Sequence, residues 1–226
     1  MSVKPVTELE IRIAHHFQDK DLIRAALTHS SAAAGYNYER LEFLGDRVLG
    51  LVIAELLYTR FPKEPEGDLA KRLAALVQGS FLAKISQELE LGAYITLSDA
   101  EAQAGGAEND NILADIFESL IGALYLDGGF EKCQKLIHKL WADRLDVMKE
   151  PPQHPKTQVQ EWTQGQGLGL PEYRIVAQSG PDHAPVFDIE LRVEGFDPVV
   201  AQGKSRQFAE KEAAREFMKQ RKSGVS

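Results

Sequence analysis

Apolar and polar residues in the first two thirds of the chain recur at the spacing of amphipathic helices. The clearest case is Glu39–Arg60, where the apolar residues form one wide stripe and Phe61-Pro62 then ends the helix. Because we find no convincing strand here, the pattern predicts an all-α domain. Four further helices are predicted, at Asp21–Ala26, Asp68–Leu91, Asn111–Leu126 and Glu131–Met148.

The last third of the chain has a different pattern. From Phe187 to Glu194, apolar residues alternate strictly with charged ones, which is typical of a half-buried strand. Further strands are predicted on either side, at Glu172–Ala177 and Pro198–Ala201, and helical spacing is found at Thr157–Gln166 and from Ser205 onward. The order α-β-β-β-α predicts a small α+β domain with a meander sheet covered on one face.

A proline-rich segment separates the two patterns. Lys149–Lys156 reads KEPPQHPK, which cannot continue a helix and favours an extended spacer. We therefore predict an all-α domain over residues 1–150, a linker over 151–155 and the α+β domain over 156–226.

Composition narrows the class of protein. Apolar residues make up 43% and charged residues 27% of the chain, which excludes wholly disordered and collagen-like classes. No apolar stretch is long enough to span a membrane, and the N-terminus lacks the apolar core of a signal peptide. The chain has a single cysteine, Cys133, so neither an internal disulfide nor a cysteine zinc cluster is expected. These features predict a cytoplasmic protein with no membrane partner.

The charge is unevenly distributed. Ten of the 26 basic and ten of the 34 acidic residues lie in 151–226, so the whole net charge of −8 belongs to residues 1–150. An acidic chain argues against a nucleic-acid partner, because it repels phosphate. Binding needs only a local basic patch, however, and basic residues do gather near the C-terminus, at Lys204, Arg206, Lys211, Arg215, Lys219, Arg221 and Lys222.

Several carboxylates stand among apolar residues. Glu39, Glu42 and Asp46 fall within about 60° of arc on one face of the long helix, and that face continues with apolar residues. Asp115 and Glu118 lie one above the other on the later helix. A carboxylate in apolar surroundings is costly unless it is paired or bound to a metal. Two pairs on two helices could give oxygen ligands to Mg²⁺ or Mn²⁺.

Other interpretations remain open for these acids. Paired acids on a helix usually form a solvent-exposed face, and Arg40, Arg47 and Arg72 could neutralise them in structural ion pairs. A di-iron bundle requires Glu-x-x-His on each of two helices. Gly45 and Ile121 stand where those histidines would be, so this interpretation fails.

Two blocks of sequence carry a family resemblance. ERLEFLGDRVL at Glu39–Leu49 resembles the signature block of bacterial ribonuclease III, and ILADIFESLIG at Ile112–Gly122 resembles its second catalytic block. The resemblance implies a homodimeric enzyme that cleaves double-stranded RNA with Mg²⁺, for which Mn²⁺ can substitute, and without a small-molecule cofactor. It assigns the catalytic metal-binding acids, which are Glu42, Asp46, Asp115 and Glu118.

The same resemblance suggests roles for three more residues. Glu39 and Glu66 match further acids near the cleft. Phe43 matches a residue that projects across the dimer interface, although an ordinary core phenylalanine explains it equally well. The implied reaction is hydrolysis of a phosphodiester to 5′-phosphate and 3′-hydroxyl ends with short 3′ overhangs, in the processing of rRNA precursors and mRNA.

Residues 156–219 resemble the double-stranded-RNA-binding domain through PKTQVQEW, GPDH and GKSRQFAEKEAA. Such a domain recognises A-form shape across successive grooves. The resemblance implies minor-groove contacts from Thr157, Gln160 and Glu161, a further contact from His183, and phosphate contacts from Lys204, Ser205 and Arg206.

This chain departs from the family pattern at two places. Gln207 stands where a basic residue is common, and the segment GGAENDN at 105–111 is acidic where relatives often carry Arg or Lys. We therefore expect weak substrate binding that depends strongly on salt and Mg²⁺. A binding-only protein and a structural dimer without RNA affinity remain as alternatives.

Overall fold

A computed structural model describes residues 3–32, 35–148, 150–152, 154–181 and 184–223. The chain forms two compact units, Met1–Pro152 and Gln153–Ser226. The first is helical, and the second contains a helix, three antiparallel strands and a last helix. The predicted fold class, an all-α domain followed by a small α+β domain, is confirmed.

The first unit is built from helices of very unequal length. Short 3₁₀ turns lie at Leu91–Tyr94 and Gly106–Glu108. An isolated parallel bridge joins Thr28 to Thr96. The helices are α1 (Val6–Arg12), α2 (Lys20–Ala26), α3 (Glu39–Arg60), α4 (Glu66–Leu76), α5 (Gly79–Glu88), α6 (Asp99–Gln103), α7 (Asp110–Gly128) and α8 (Phe130–Val147).

Helix α7 forms the centre of this unit. The Asn109 side chain begins it by accepting hydrogen bonds from the backbone N–H groups of Asn111 and Ile112. Nearly every residue from Ile112 to Leu124 is buried, so α7 is apolar around most of its circumference. Helices α2, α3, α5 and α8 pack around it, and α3 makes the most extensive contact.

The single helix predicted at Asp68–Leu91 is wrong, because the structure has α4 and α5 there. The helical spacing of the apolar residues continues through the break, but the backbone does not. Gln78 is extended, with φ −67° and ψ 143°, and it is followed by Gly79, which has low helix propensity. The break lets α5 turn and pack against α7.

Arg72 is fully buried in α4 and forms a structural ion pair, but its partner, Glu64, is not one of the candidate metal acids. Its guanidinium donates to both carboxylate oxygens of Glu64, at 2.6 and 2.7 Å, and to the carbonyl of Met148 at 2.8 Å. It also lies 3.8 Å from the ring centre of Phe61. These contacts tie the end of α8 to the α3–α4 connection.

The second unit follows the predicted order of elements. Strand β2 pairs with β1 on one side and β3 on the other, both antiparallel. Ile189 and Leu191 on β2 are fully buried, and Trp162, Phe196 and Phe217 form an edge-to-face cluster. The elements are α9 (Pro155–Gly165), β1 (Glu172–Ser179), β2 (Val186–Arg192), β3 (Val199–Gly203) and α10 (Arg206–Ser223).

Within the described ranges, no helix combines the length and the apolar character that a membrane crossing requires.

Candidate metal centre and RNA-binding surface

Helices α3 and α7 cross at two glycines. A Cβ atom on Gly45 would lie 1.7 Å from the carbonyl oxygen of Glu118, and one on Gly122 would lie 2.2 Å from the carbonyl oxygen of Leu41. Both positions therefore require glycine for the helices to approach this closely. Glu42 lies one turn before the first glycine and Glu118 one turn before the second, so the crossing brings these acids together.

Three carboxylates meet at the crossing. Glu42, Asp115 and Glu118 each offer an oxygen atom, and these three atoms lie within 4.8 Å of one another. Neighbouring ligands of an octahedral Mg²⁺ ion are about 3 Å apart and opposite ligands about 4 Å apart, given metal–oxygen distances of about 2.1 Å. The cluster therefore has the ligand type and the spacing that a small divalent cation prefers, and all three of its side chains are half-buried.

The cluster strongly affects proton binding. Burial, together with the charges of Glu42 and Asp115, raises the pKa of Glu118 to about 7. Burial also raises the pKa values of Asp115 and Glu42, and for Glu42 the charges of Asp115 and Glu39 act in the same direction. Like charges that are partly shielded from water thus disfavour full ionisation. A bound cation would reverse that preference.

The fourth predicted metal acid does not join the three. Asp46 lies on α3, one turn after Glu42, and its carboxylate pairs with the guanidinium of the adjacent Arg47. Arg47 also lies 5.4 Å from the centre of the Phe43 ring. The pairing of Asp46 with Arg47 matches the structural ion pair considered as an alternative above. Asp46 remains partly exposed, with 39% of its side chain accessible.

The two predicted cleft acids are placed differently. Glu39 lies in the first turn of α3, where the Asn37 amide donates to its carboxylate at 3.2 Å. Its charge is close enough to contribute to the raised pKa of Glu42. Glu66 is exposed in the first turn of α4. Among the described residues, neither acid belongs to the three-carboxylate cluster.

Tyr38 belongs to this site but was not identified from the sequence. It is 7% exposed, and its hydroxyl lies 3.4 Å from Oδ2 of Asp115. Burial, followed by the charges of Asp115 and Glu42, raises the pKa of Tyr38 to about 12. The available signal was its position directly before the ERLEF block, at the N-terminus of the helix that carries the acids.

Phe43 is on the surface of the unit rather than in its core. Its side chain is 67% exposed on α3, which is unusual for an aromatic residue. Beside it lies an open groove of about 1000 Å³. The groove is lined mainly by apolar side chains, which include Leu22, Ala25, Tyr36, Leu41, Leu44 and Leu126.

The predicted RNA contacts of α9 share one exposed face. Thr157, Gln160 and Glu161 are spaced three and four residues apart and are all exposed. At the start of α10, Lys204 and Ser205 are also exposed, and the Ser205 hydroxyl accepts a hydrogen bond from the backbone N–H of Phe208 at 3.2 Å. His183 lies outside the described residues.

A buried acid links the starts of α9 and α10. Lys156 donates to one carboxylate oxygen of Glu210 at 2.5 Å, and Nε of Arg206 donates to the other at 2.8 Å. Burial alone would raise the pKa of Glu210, but these hydrogen bonds outweigh burial and hold the pKa below its usual range. Arg206, a predicted phosphate contact, is therefore partly engaged within the protein.

Acidic partners also reduce the basic patch along α10. Arg215 pairs with Glu212, and Lys219 lies 3.8 Å from Glu216. The guanidinium of Arg221 lies against the aromatic rings of the core rather than facing outward, 4.5 Å from the centre of the Phe196 ring. The patch is thus thinner than its count of basic residues implies.

Comparison with known proteins identifies the family. The Ribonuclease-III-like family model matches residues 19–145, and the double-stranded RNA binding motif matches residues 155–221. Ribonuclease 3 of Caulobacter vibrioides is 49% identical over 227 residues, covering 98% of both chains. Ribonuclease 3 of Ehrlichia canis is 45% identical, covering 94% of this chain and 96% of the relative.

A solved structure agrees with these sequence matches. The nuclease domain of ribonuclease III from Campylobacter jejuni superposes with a TM-score of 0.61 at 44% identity, and covers 63% of this chain and 100% of that one. The chain therefore belongs to the ribonuclease III family of endoribonucleases, with a nuclease domain followed by a double-stranded-RNA-binding domain.

Proposed function

We propose that this chain hydrolyses double-stranded RNA with the help of Mg²⁺, for which Mn²⁺ can substitute. The observation that carries the proposal is the meeting of Glu42, Asp115 and Glu118 at the α3–α7 crossing. Three half-buried carboxylates repel one another, and a divalent cation relieves that repulsion. The donor set consists of carboxylate oxygens, which suits a hard cation better than zinc or copper.

In this proposal the four acids share one cation site. Glu42, Asp115 and Glu118 would hold the cation, and Asp46 would join them if its carboxylate left Arg47. When bound, the cation supplies Lewis acidity that activates water and stabilises charge on the departing 3′-oxygen. Glu39 and Glu66, which lie outside the three-carboxylate cluster, would be further acids near the cleft. No small-molecule cofactor takes part.

The proposed products are 5′-phosphate and 3′-hydroxyl ends. This outcome follows from the family resemblance, as do the short 3′ overhangs that two clefts of a homodimer would leave, each cutting one strand. The exposure of Phe43 next to an apolar groove supports a dimer, because a second copy would bury both features.

The second domain is proposed to capture the duplex. Thr157, Gln160 and Glu161 would face one minor groove and His183 the next, while Lys204, Ser205 and Arg206 would meet phosphates in between. The proposed division is a catalytic and dimerisation domain at 1–150, a linker at 151–155 and an RNA-binding domain at 156–226. The two compact units of the fold support this division.

The physiological role proposed here is the processing of rRNA precursors and mRNA in the cytoplasm. It follows from the resemblance to bacterial ribonuclease III. Sequencing of RNA ends in cells with and without the protein would test this role, because mature rRNA ends should fail to form in its absence.

The central experiment compares the wild-type protein with Glu118→Gln on a long RNA duplex. With Mg²⁺ the wild type should produce 5′-phosphate ends, and in EDTA it should produce none. Glu118→Gln keeps the size of the side chain and removes its charge, so cleavage should fall while duplex binding persists. Binding without any Mg²⁺-dependent cleavage by the wild type would instead support a protein that only binds RNA.

A further inference from the structure

Tyr38 is placed to control the orientation of one of the three clustered acids. Its hydroxyl lies 3.4 Å from Oδ2 of Asp115, and the whole residue is 7% exposed. An ionised carboxylate can only accept hydrogen bonds, so the phenol is the donor of this pair. The χ2 torsion of an aspartate, which turns its carboxylate, has a broad range of accessible angles. A hydrogen bond at Oδ2 restricts it.

The tyrosine is itself held in place by its surroundings. Its ring stacks on His29, with ring centres 5.5 Å apart and planes inclined by 13°. Nδ1 of His29 lies 2.9 Å from the Ser31 hydroxyl, which accepts a hydrogen bond from the backbone N–H of Ser98 at 3.1 Å. The backbone N–H of Tyr38 donates to the carbonyl of Thr28 at 3.0 Å. Backbone and ring are thus both fixed.

We propose that Tyr38 is a positioning residue that orients Asp115 for cation binding, with His29 as its support. This inference rests on the metal-dependent function proposed above. Hydrogen bonds that metal-binding carboxylates receive from residues outside the ligand set typically contribute a factor of about 10–100 in metal affinity or activity. The effect arises because the free protein already holds the carboxylate in the binding orientation, so less freedom is lost when the cation binds.

The test is Tyr38→Phe, which removes the hydroxyl and keeps the ring against His29. Tyr125→Phe is the matched control, because Tyr125 is an exposed tyrosine on α7, the helix that carries Asp115. Binding of Mn²⁺ alone is measured by calorimetry on the full-length protein without RNA. We expect the dissociation constant to rise about tenfold for Tyr38→Phe and to stay unchanged for Tyr125→Phe.

Cleavage supplies a second measurement. The Mg²⁺ concentration for half-maximal cleavage should rise by a similar factor in Tyr38→Phe, while kcat at saturating Mg²⁺ stays within a few-fold of wild type. A residue that only stabilises the fold would lower the melting temperature without this split between metal affinity and kcat. His29 supports the Tyr38 ring and also acts on Asp115 directly through its charge, so the effects of His29→Ala and Tyr38→Phe on Mn²⁺ binding should add only in part.

The possible outcomes separate the two proposals. If wild type binds Mn²⁺ and cleaves duplex RNA but Tyr38→Phe binds Mn²⁺ equally well, the positioning role is refuted and the proposed function stands. If wild type neither binds Mn²⁺ nor shows metal-dependent cleavage, the proposed function itself fails. A weaker affinity in both tyrosine variants would also refute the role, because the loss would then not be specific to Tyr38.

Discussion

Replacing Gly45 with alanine should separate α3 from α7 and damage the acid cluster. The new Cβ would lie 1.7 Å from the carbonyl oxygen of Glu118, whereas real Cβ atoms keep at least 3.0 Å from such an atom. The two backbones must therefore move apart by more than about 1 Å. The atom that is pushed away belongs to Glu118, whose carboxylate is one of the three.

Both stability and chemistry should respond. Overpacking of a core contact typically costs about 1–3 kcal/mol, which corresponds to a fall of several degrees in Tm for a protein of this size. Octahedral Mg²⁺ sites tolerate little distortion. A misplacement of about 1 Å can cost about 100-fold in rate. We therefore expect Gly45→Ala to lose most Mg²⁺-dependent cleavage and most of the rise in Tm that Mg²⁺ produces.

The control must destabilise the same helix without moving the acids. Ile53 is fully buried on α3, two turns beyond Gly45, and Ile53→Val should cost about 1 kcal/mol. Thermal melting with and without Mg²⁺, followed by cleavage of an RNA duplex, is measured for both variants. If Gly45→Ala keeps the Mg²⁺-induced rise in Tm and cleaves RNA as well as Ile53→Val does, the role assigned to the close crossing is refuted.

Three further predictions concern pH, domain structure and salt. Because the folded-state pKa of Glu118 is raised from 4.5 to about 7, the folded state holds the proton more tightly; the metal-free protein should lose stability as pH rises through this range, and Glu118→Gln should remove that loss. The shift corresponds to at most about 3 kcal/mol of stability, and solvent screening of a half-buried group reduces this to about 1 kcal/mol. The measurement is the free energy of unfolding in urea, with EDTA present, at pH 5 and pH 8. Residues 1–150 alone should fold, dimerise and cut duplex RNA slowly in low salt with Mn²⁺, as checked by sedimentation and cleavage; a folded dimer without cleavage would give the second domain a catalytic role. Gln207→Lys should tighten duplex binding and steepen its salt dependence by a slope of at most about 1, without moving the cut site, and an unchanged affinity and slope would mean that this helix start does not face the RNA.

The sequence alone predicted those features of the fold and site that depend on interactions between residues near one another in the chain. The bounds of α3 agree with the prediction at both ends, because its apolar stripe and the Phe61-Pro62 stop lie within one segment. The strict alternation in β2 likewise identified its buried face. Helical spacing placed Glu42 beside Asp46 on one helix and Asp115 beside Glu118 on the other, before any contact between the two helices was known. Three of these four acids meet in the structure, and Asp46 does not join them.

The remaining features depend on contacts between distant parts of the chain. The break at Gln78 reflects the packing of α5 against α7, which the apolar spacing of α4 and α5 does not reveal. The hydrogen bond of Tyr38 to Asp115 spans 77 positions, and Lys156 meets Glu210 across 54. Sequence spacing cannot predict such pairs, because it does not show how the two elements that carry them are aligned against each other.

The close crossing of α3 and α7 at Gly45 and Gly122 explains both where the acids lie and why their pKa values are raised. Because backbone meets backbone at Gly45 and Gly122, side chains one turn away on each helix have no room to diverge, and the acids at those positions are forced together. The resulting repulsion must be offset by the apolar packing around α7. A neutral substitution in the cluster should therefore stabilise the metal-free protein and abolish stabilisation by Mg²⁺. A site whose acids were ordinary surface residues would show neither effect, because exposed carboxylates are screened and repel one another only weakly.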